Sequence, residues 1–73
     1  MNNTIYSNDH KYLVKQLKNT RKEIGLDQGE VADLLDKTQS YISKIESGQR
    51  RIDVIQLKKL AKIYKKDINY FLK

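Results

Sequence analysis

The chain has 73 residues, a formal net charge of +6, and no Cys, Trp or Pro. That length fits one domain, residues 1–73, with a core worth about 3–5 kcal/mol, and without cysteines neither a disulfide nor a thiolate zinc site is available to reinforce it. No stretch approaches the roughly 20 apolar residues of a membrane span, and the start lacks the basic and apolar regions of a secretory signal, so the expected location is the cytoplasm.

The charge is unevenly placed. Lys and Arg balance Asp and Glu over residues 1–48, and the whole excess of +6 falls in residues 49–73. Such a field favours a polyanionic partner, the alternative being a solvated lysine-rich face.

Five short helices and no strand pattern are expected. Residues 1–6 read as a flexible arm. Ser7 is a good N-cap, and Tyr6, Leu13, Val14, Leu17 and Ile24 recur at helical spacing, so a first helix runs from about Asn8 to Ile24 and stops at Gly25. Asp27-Gln28-Gly29-Glu30 has the form of a capping box, and the second helix that it opens turns Val31, Ala32 and Leu35 inward. Asp36-Lys37 makes a turn, Thr38 caps a third helix with Ile42 and Ile45 inside, and Gly48 ends it. A basic loop, Gln49-Arg50-Arg51-Ile52, leads to Asp53, the cap of a fourth helix whose inner face is Val54, Leu57, Leu60, Ala61 and Tyr64. Asp67 caps a last short helix holding Ile68, Phe71 and Leu72.

The functional signal lies in residues 28–47. Two helices of about two turns joined by a tight turn must cross steeply to bury both apolar faces, and Ala32 is small where the backbones approach. This is the helix-turn-helix arrangement, in which the second helix enters the major groove of double-stranded DNA. The outer face of that helix presents Gln39, Ser40, Ser43, Lys44 and Ser47. Gln pairs with adenine N6 and N7, Lys donates to guanine O6 and N7, and Ser serves either, so Gln39, Ser40, Ser43 and Lys44 are the expected base readers. Gln28 and Thr38 open the two helices, where free N–H groups and a positive dipole end suit phosphate, although Thr38 is equally explained as a plain N-cap. Ser47, Arg50 and Arg51 follow the reading helix and are expected beside the sugar-phosphate chain. Lys58, Lys59, Lys62, Lys65 and Lys66 mark the solvated side of the fourth helix. Tyr41 allows two roles, contact with a thymine methyl or sugar, or cover for the junction of the two helices. His10 has no ligand partners at metal-binding spacing and reads as a surface residue.

From about Tyr12 to Leu72 the chain resembles the phage-repressor/Cro-type (XRE-type) helix-turn-helix family. The resemblance rests on Arg21-Lys22-Glu23-Ile24-Gly25-Leu26, Gln28, Val31-Ala32, and Gln39-Ser40-Tyr41-Ile42-Ser43-Lys44-Ile45-Glu46-Ser47-Gly48. Leu57, Leu60-Ala61-Lys62 and Asp67-Ile68-Asn69-Tyr70-Phe71 continue it. It implies a compact, all-α, five-helix lambda-repressor-like domain that acts as a sequence-specific transcriptional regulator, a repressor in the first instance. By the same resemblance Gln39, Ser40 and Lys44 read bases, Gln28 contacts the DNA backbone, and Arg21 pairs with Glu46. Two departures stand out: Asp36 where the family has Gly, and Lys37 where it has an apolar residue. Asp tolerates left-handed φ better than most residues, so the turn is expected to persist at some cost.

One reading helix covers only a few base pairs, so a homodimer on an inverted repeat is expected. Ile68 and Phe71 are suited to cap the core, which leaves Tyr70 and Leu72 as candidate dimer contacts, with residues 2–6 as an alternative. No enzyme motif, cofactor site, metal site or small-molecule site is evident. The stronger rival is a protein-interaction module such as an antitoxin or adaptor, but its reading face would carry Leu, Phe or Trp anchors rather than Gln, Ser and Lys.

Overall fold

Four α-helices and a closing 3-10 turn make up residues 8–72, the part of the chain that the computed structural model describes. The arm expected at residues 1–6, the Ser7 cap and Tyr6 lie outside the described residues. Helix α1 spans Asn8–Ile24, α2 Gln28–Leu35, α3 Gln39–Glu46 and α4 Val54–Ile63, and the 3-10 turn is Ile68–Phe71.

Each boundary has a local cause. Helix α1 carries Asp9 in its first turn and Arg21 and Lys22 in its last, charges that complement the helix dipole. It ends where Gly25, at φ 88°, turns the chain back so that the Leu26 N–H donates to the Arg21 carbonyl at 3.2 Å. The capping box of α2 is reciprocal: Glu30 N–H donates to Asp27 Oδ1 at 2.8 Å, and Asp27 N–H to Glu30 Oε1 at 2.8 Å. Asp36 closes α2 in the left-handed region, φ 61° and ψ 46°, with the Lys37 N–H on the Ala32 carbonyl at 2.8 Å. Thr38 Oγ1 accepts from Tyr41 N–H at 3.1 Å to cap α3, and Asp53 Oδ1 accepts from Gln56 N–H at 2.8 Å to cap α4.

The core lies between the helices. Leu17 of α1, Val31, Ala32 and Leu35 of α2, Ile42 and Ile45 of α3, Leu57, Leu60, Ala61 and Tyr64 near α4, and Phe71 are all buried. Helix α2 packs on α3 and α4, α1 on α3 and the 3-10 turn, and α4 on that turn as well. Phe71, fully buried, meets the Tyr64 ring at 6.3 Å between centroids and so closes the open end of the bundle.

Three expectations are corrected. The fifth helix is a single 3-10 turn: Asp67 Oδ1 caps Asn69 N–H at 2.8 Å and the Tyr70 N–H reaches the Asp67 carbonyl at 2.9 Å. The four residues Ile68–Phe71 are too few to build an i to i+4 ladder. Ile24 is 43% exposed, because the reversal at Gly25 delivers Leu26 to the core in its place. Val54 is 61% exposed, since the first residue of α4 projects beyond the core and Ile52, just before the cap, packs there instead. Thr20, which the periodicity of apolar residues passes over, is fully buried on the inner side of α1.

Candidate nucleic-acid interface

Helix α3 is divided sharply in two. Ile42, Ile45 and Glu46 are buried, whereas Gln39, Ser40, Ser43 and Lys44 are exposed along the opposite side. An α-helix puts residues three and four apart on one face. The four exposed residues therefore form one polar strip, while the two isoleucines anchor its back to the core. Gln39 stands at the start of α3 beside the start of α2, its Oε1 3.9 Å from where a Cβ on Gly29 would lie. The two helix N-termini and the first polar residue of α3 thus share one edge of the molecule.

What fixes α3 against the rest is a buried carboxylate. Glu46 accepts from Arg21 Nε at 2.7 Å on one oxygen and from Arg21 Nη2 at 3.0 Å on the other. Gln28 Nε2 adds a third bond at 3.1 Å, and Arg21 Nη1 goes on to the Leu26 carbonyl at 2.8 Å. Arg21 and Glu46 are each only 8% exposed. The hydrogen bond and charge of Glu46 hold the Arg21 guanidinium above its ordinary pKa even though burial opposes this. One carboxylate therefore joins the end of α1, the start of α2 and the end of α3. Gln28 enters the site partly committed: one amide hydrogen serves Glu46, and the other is left for a ligand.

Thr38 directly precedes α3, and Ser47, Arg50 and Arg51 follow it. Thr38 uses its oxygen as an acceptor in the α3 cap, which leaves the hydroxyl hydrogen to donate outward. Ser47 Oγ donates to the Lys44 carbonyl at 3.1 Å, so its hydroxyl hydrogen is spent within the helix end. The same carbonyl takes the N–H groups of Gln49 and Arg50 at 2.9 and 3.1 Å, as Gly48 turns the chain at φ 83°. Arg50 and Arg51 are exposed in that loop, lining an open cleft of about 330 Å³ with Tyr41, Ile52 and Asp53. Lys58, Lys59, Lys62, Lys65 and Lys66 are exposed on and just beyond α4. Tyr70 and Leu72 are 38% and 48% exposed at the far end of the chain.

Sequence reasoning passed over two features. The Gln28 bond to Glu46 spans 18 residues and leaves no periodic trace. The Tyr41 ring gathers Lys37 and Arg50, whose charged ends lie 5.3 and 4.7 Å from its centroid. Lys37 stands four residues before Tyr41 but in the turn, off the helix, so the spacing marks neither contact.

Among the described residues no helix is long and apolar enough to cross a membrane, and no three His, Cys, Asp or Glu side chains come together as metal ligands. Two short helices packed on each other, the second with an apolar back and a polar front, define a helix-turn-helix DNA-binding protein. The chain belongs to the HTH_3 helix-turn-helix family, which it matches over residues 17–71. No curated protein sequence matches it.

Among solved structures the chain is similar to the restriction-modification controller protein C.AhdI from Aeromonas hydrophila, with a TM-score of 0.81 and 26% identity over 88% of this chain and 93% of that one. It is also similar to an HTH_3 family transcriptional regulator from Vibrio cholerae, with a TM-score of 0.77 and 27% identity over 86% of this chain and 35% of that one. Hydroxypropylphosphonic acid epoxidase from S. wedmorenis has a TM-score of 0.81 at 21% identity, over 89% of this chain and 35% of the enzyme, a likeness of fold alone. The chain thus spans about a third of the length of these last two proteins.

Proposed function

We propose that this chain is a sequence-specific, double-stranded-DNA-binding transcriptional repressor. It reads an inverted repeat as a homodimer through α3 in the major groove. The observation that carries the reading is the outward strip of Gln39, Ser40, Ser43 and Lys44, fully polar and exposed on a helix whose other side is locked into the core. Donors and acceptors on a rigid helix are what base edges in the major groove require. Around the strip, Gln28 and Thr38 at the helix starts and Ser47, Arg50 and Arg51 beyond the helix end would bear on backbone phosphates. Thr38, with its hydroxyl hydrogen free, is better equipped for that contact than Ser47, whose hydrogen is used internally.

Two observations support this reading, the first for regulation and the second for the dimer. The controller protein to which the chain is similar is matched over nearly the full length of both. Tyr70 and Leu72 leave apolar surface open at the chain end, where a two-fold mate could cover it. Half-sites would then lie about 34 Å apart.

The test is selection of bound fragments from a pool of random duplex DNA, followed by mobility shift on the selected sequence. An inverted repeat with a strong preference over unrelated duplex is expected. Recovery of no sequence from the pool refutes the reading. For the dimer, sedimentation of the free protein at micromolar concentration is compared with that of Leu72→Asp. A free monomer that binds one half-site as tightly as the whole repeat refutes that part alone.

A further inference from the structure

Tyr41 lies in the first turn of α3 with its ring half-buried. Two cations from either side of the helix in sequence converge on that ring. Lys37 Nζ is 5.3 Å from the centroid and Arg50 Cζ is 4.7 Å from it. Lys37 belongs to the turn before α3, where its N–H holds the Ala32 carbonyl at 2.8 Å. Arg50 belongs to the loop after α3, where its N–H holds the Lys44 carbonyl at 3.1 Å. Both backbones are therefore fixed, and the ring restrains the long side chains that follow.

These two charges have no carboxylate among the described residues to neutralise them. Among the described residues no Asp or Glu lies within ion-pair distance of Lys37 or Arg50, and Asp53, which lines the same cleft, spends an oxygen capping α4. Each is drawn instead to the electron-rich π-system of the ring. Lys and Arg side chains also carry the largest rotamer freedom of any residue. Two cations each restrained against one ring, both exposed and neither paired with a described carboxylate, are each able to receive an external anion.

We propose that Tyr41 is a positioning residue of the DNA interface. Its ring presents Lys37 and Arg50 together to the same stretch of phosphodiester backbone, beside the groove that α3 enters. Lys37, through the Tyr41 ring, thereby joins Arg50 and Arg51, which line the 330 Å³ cleft with that ring, in one phosphate-binding unit. The role rests on the DNA-binding reading given above. It makes affinity depend on an aromatic ring that need not touch the DNA.

The test is the salt dependence of binding, followed by fluorescence anisotropy on a duplex of unrelated sequence and on the selected site. Tyr41→Leu keeps apolar bulk and removes the ring. It is expected to lower affinity about five- to thirtyfold on both duplexes, two cation–π contacts' worth. Its log–log salt slope becomes shallower by about 0.9, one phosphate's worth. Tyr41→Phe keeps the ring face and is expected to keep affinity and slope. In a Lys37→Met/Arg50→Met background, Tyr41→Leu is expected to change neither further. An unchanged slope for Tyr41→Leu, or an equal loss for Tyr41→Phe, overturns the role while leaving DNA binding intact. Wild-type protein that binds neither duplex removes the DNA reading, and this role with it. Should Tyr41→Leu fail to fold, nuclear magnetic resonance of the free wild type still decides. Upfield ring-current shifts of the Arg50 and Lys37 side-chain protons are expected, and values equal to those of the exposed Lys58 overturn the proposal.

Discussion

Replacing Glu46 with Ala is expected to remove a large share of the stability of this domain. The change deletes the acceptor for Arg21 Nε at 2.7 Å, for Arg21 Nη2 at 3.0 Å and for Gln28 Nε2 at 3.1 Å. Arg21, 8% exposed, keeps only the Leu26 carbonyl, and its charge stays in place because a guanidinium does not release its proton. Breaking a buried pair from one side costs roughly 3–5 kcal/mol. At about 0.05–0.15 kcal/mol per residue, a chain of this length has on the order of 4–11 kcal/mol in total. The expected fall in melting temperature is on the order of 12–40 °C, at about 4–8 °C per kcal/mol for a domain of this size. Thermal unfolding followed by far-ultraviolet circular dichroism measures that fall, and urea denaturation measures the loss in free energy. The double change Arg21→Met/Glu46→Leu removes both charges and is expected to recover most of the loss, since well-packed apolar replacements of buried pairs are often neutral. A loss below about 1 kcal/mol for Glu46→Ala, the range of an exposed pair, would refute the reasoning.

Four further outcomes are expected. Gln39→Ala lowers affinity for the selected site by about 1–3 kcal/mol and relaxes preference at one base pair per half-site, as read by competition with single-position variants. Arg51→Ala weakens binding to all sequences alike and makes the salt slope shallower by about 0.9, without altering the selected sequence. Lys65, at φ 59°, sits in the left-handed region that disfavours a side chain by roughly 1–2 kcal/mol. Lys65→Gly offsets this against about 0.5–1 kcal/mol of extra unfolded-state freedom, and should raise stability by up to about 1.5 kcal/mol in urea melts. The buried Tyr64 phenol is held above its ordinary pKa of 10.0, first by burial and then by the Glu46 carboxylate. The unfolded chain releases that proton near pH 10 while the folded one retains it, so stability is full below that value and falls by up to roughly 1.4 kcal/mol per unit above it. Tyr64→Phe should remove that portion of the alkaline fall.

Much of this was legible in the residues, for identifiable reasons. Caps advertise themselves: Asp27, Thr38 and Asp53 each accept from the N–H three residues on, and a Ser, Thr or Asp in that place has little else to do. The inner faces of α2 and α3 follow from 3.6-residue spacing because both helices bury one whole side. Spacing failed at element ends. Ile24 and Val54 fit the period but lie where the core has run out, and Leu26 and Ile52, off the helices altogether, fill the room. It failed also at the chain end, where an N-cap and apolar residues at helical intervals cannot distinguish a single 3-10 turn from a short α-helix. In the candidate site the exposed strip of α3 was readable as the complement of its buried side. The Gln28 bond to Glu46 and the convergence of Lys37 and Arg50 on Tyr41 were not, because each depends on where separate backbone segments meet, and the internal use of Ser47 turns on a local rotamer that residue type does not fix.

The division of α3 into a locked side and an open side has a consequence for descent. Ile42, Ile45 and Glu46 carry the packing and the joint to α1 and α2, while Gln39, Ser40, Ser43 and Lys44 carry none of the core. Surface changes away from such joints cost little stability. If those four side chains read the operator as proposed, a lineage can exchange them one at a time and arrive at a new operator without passing through an unfolded ancestor. Paralogues in one cell can share a scaffold and still ignore each other's targets.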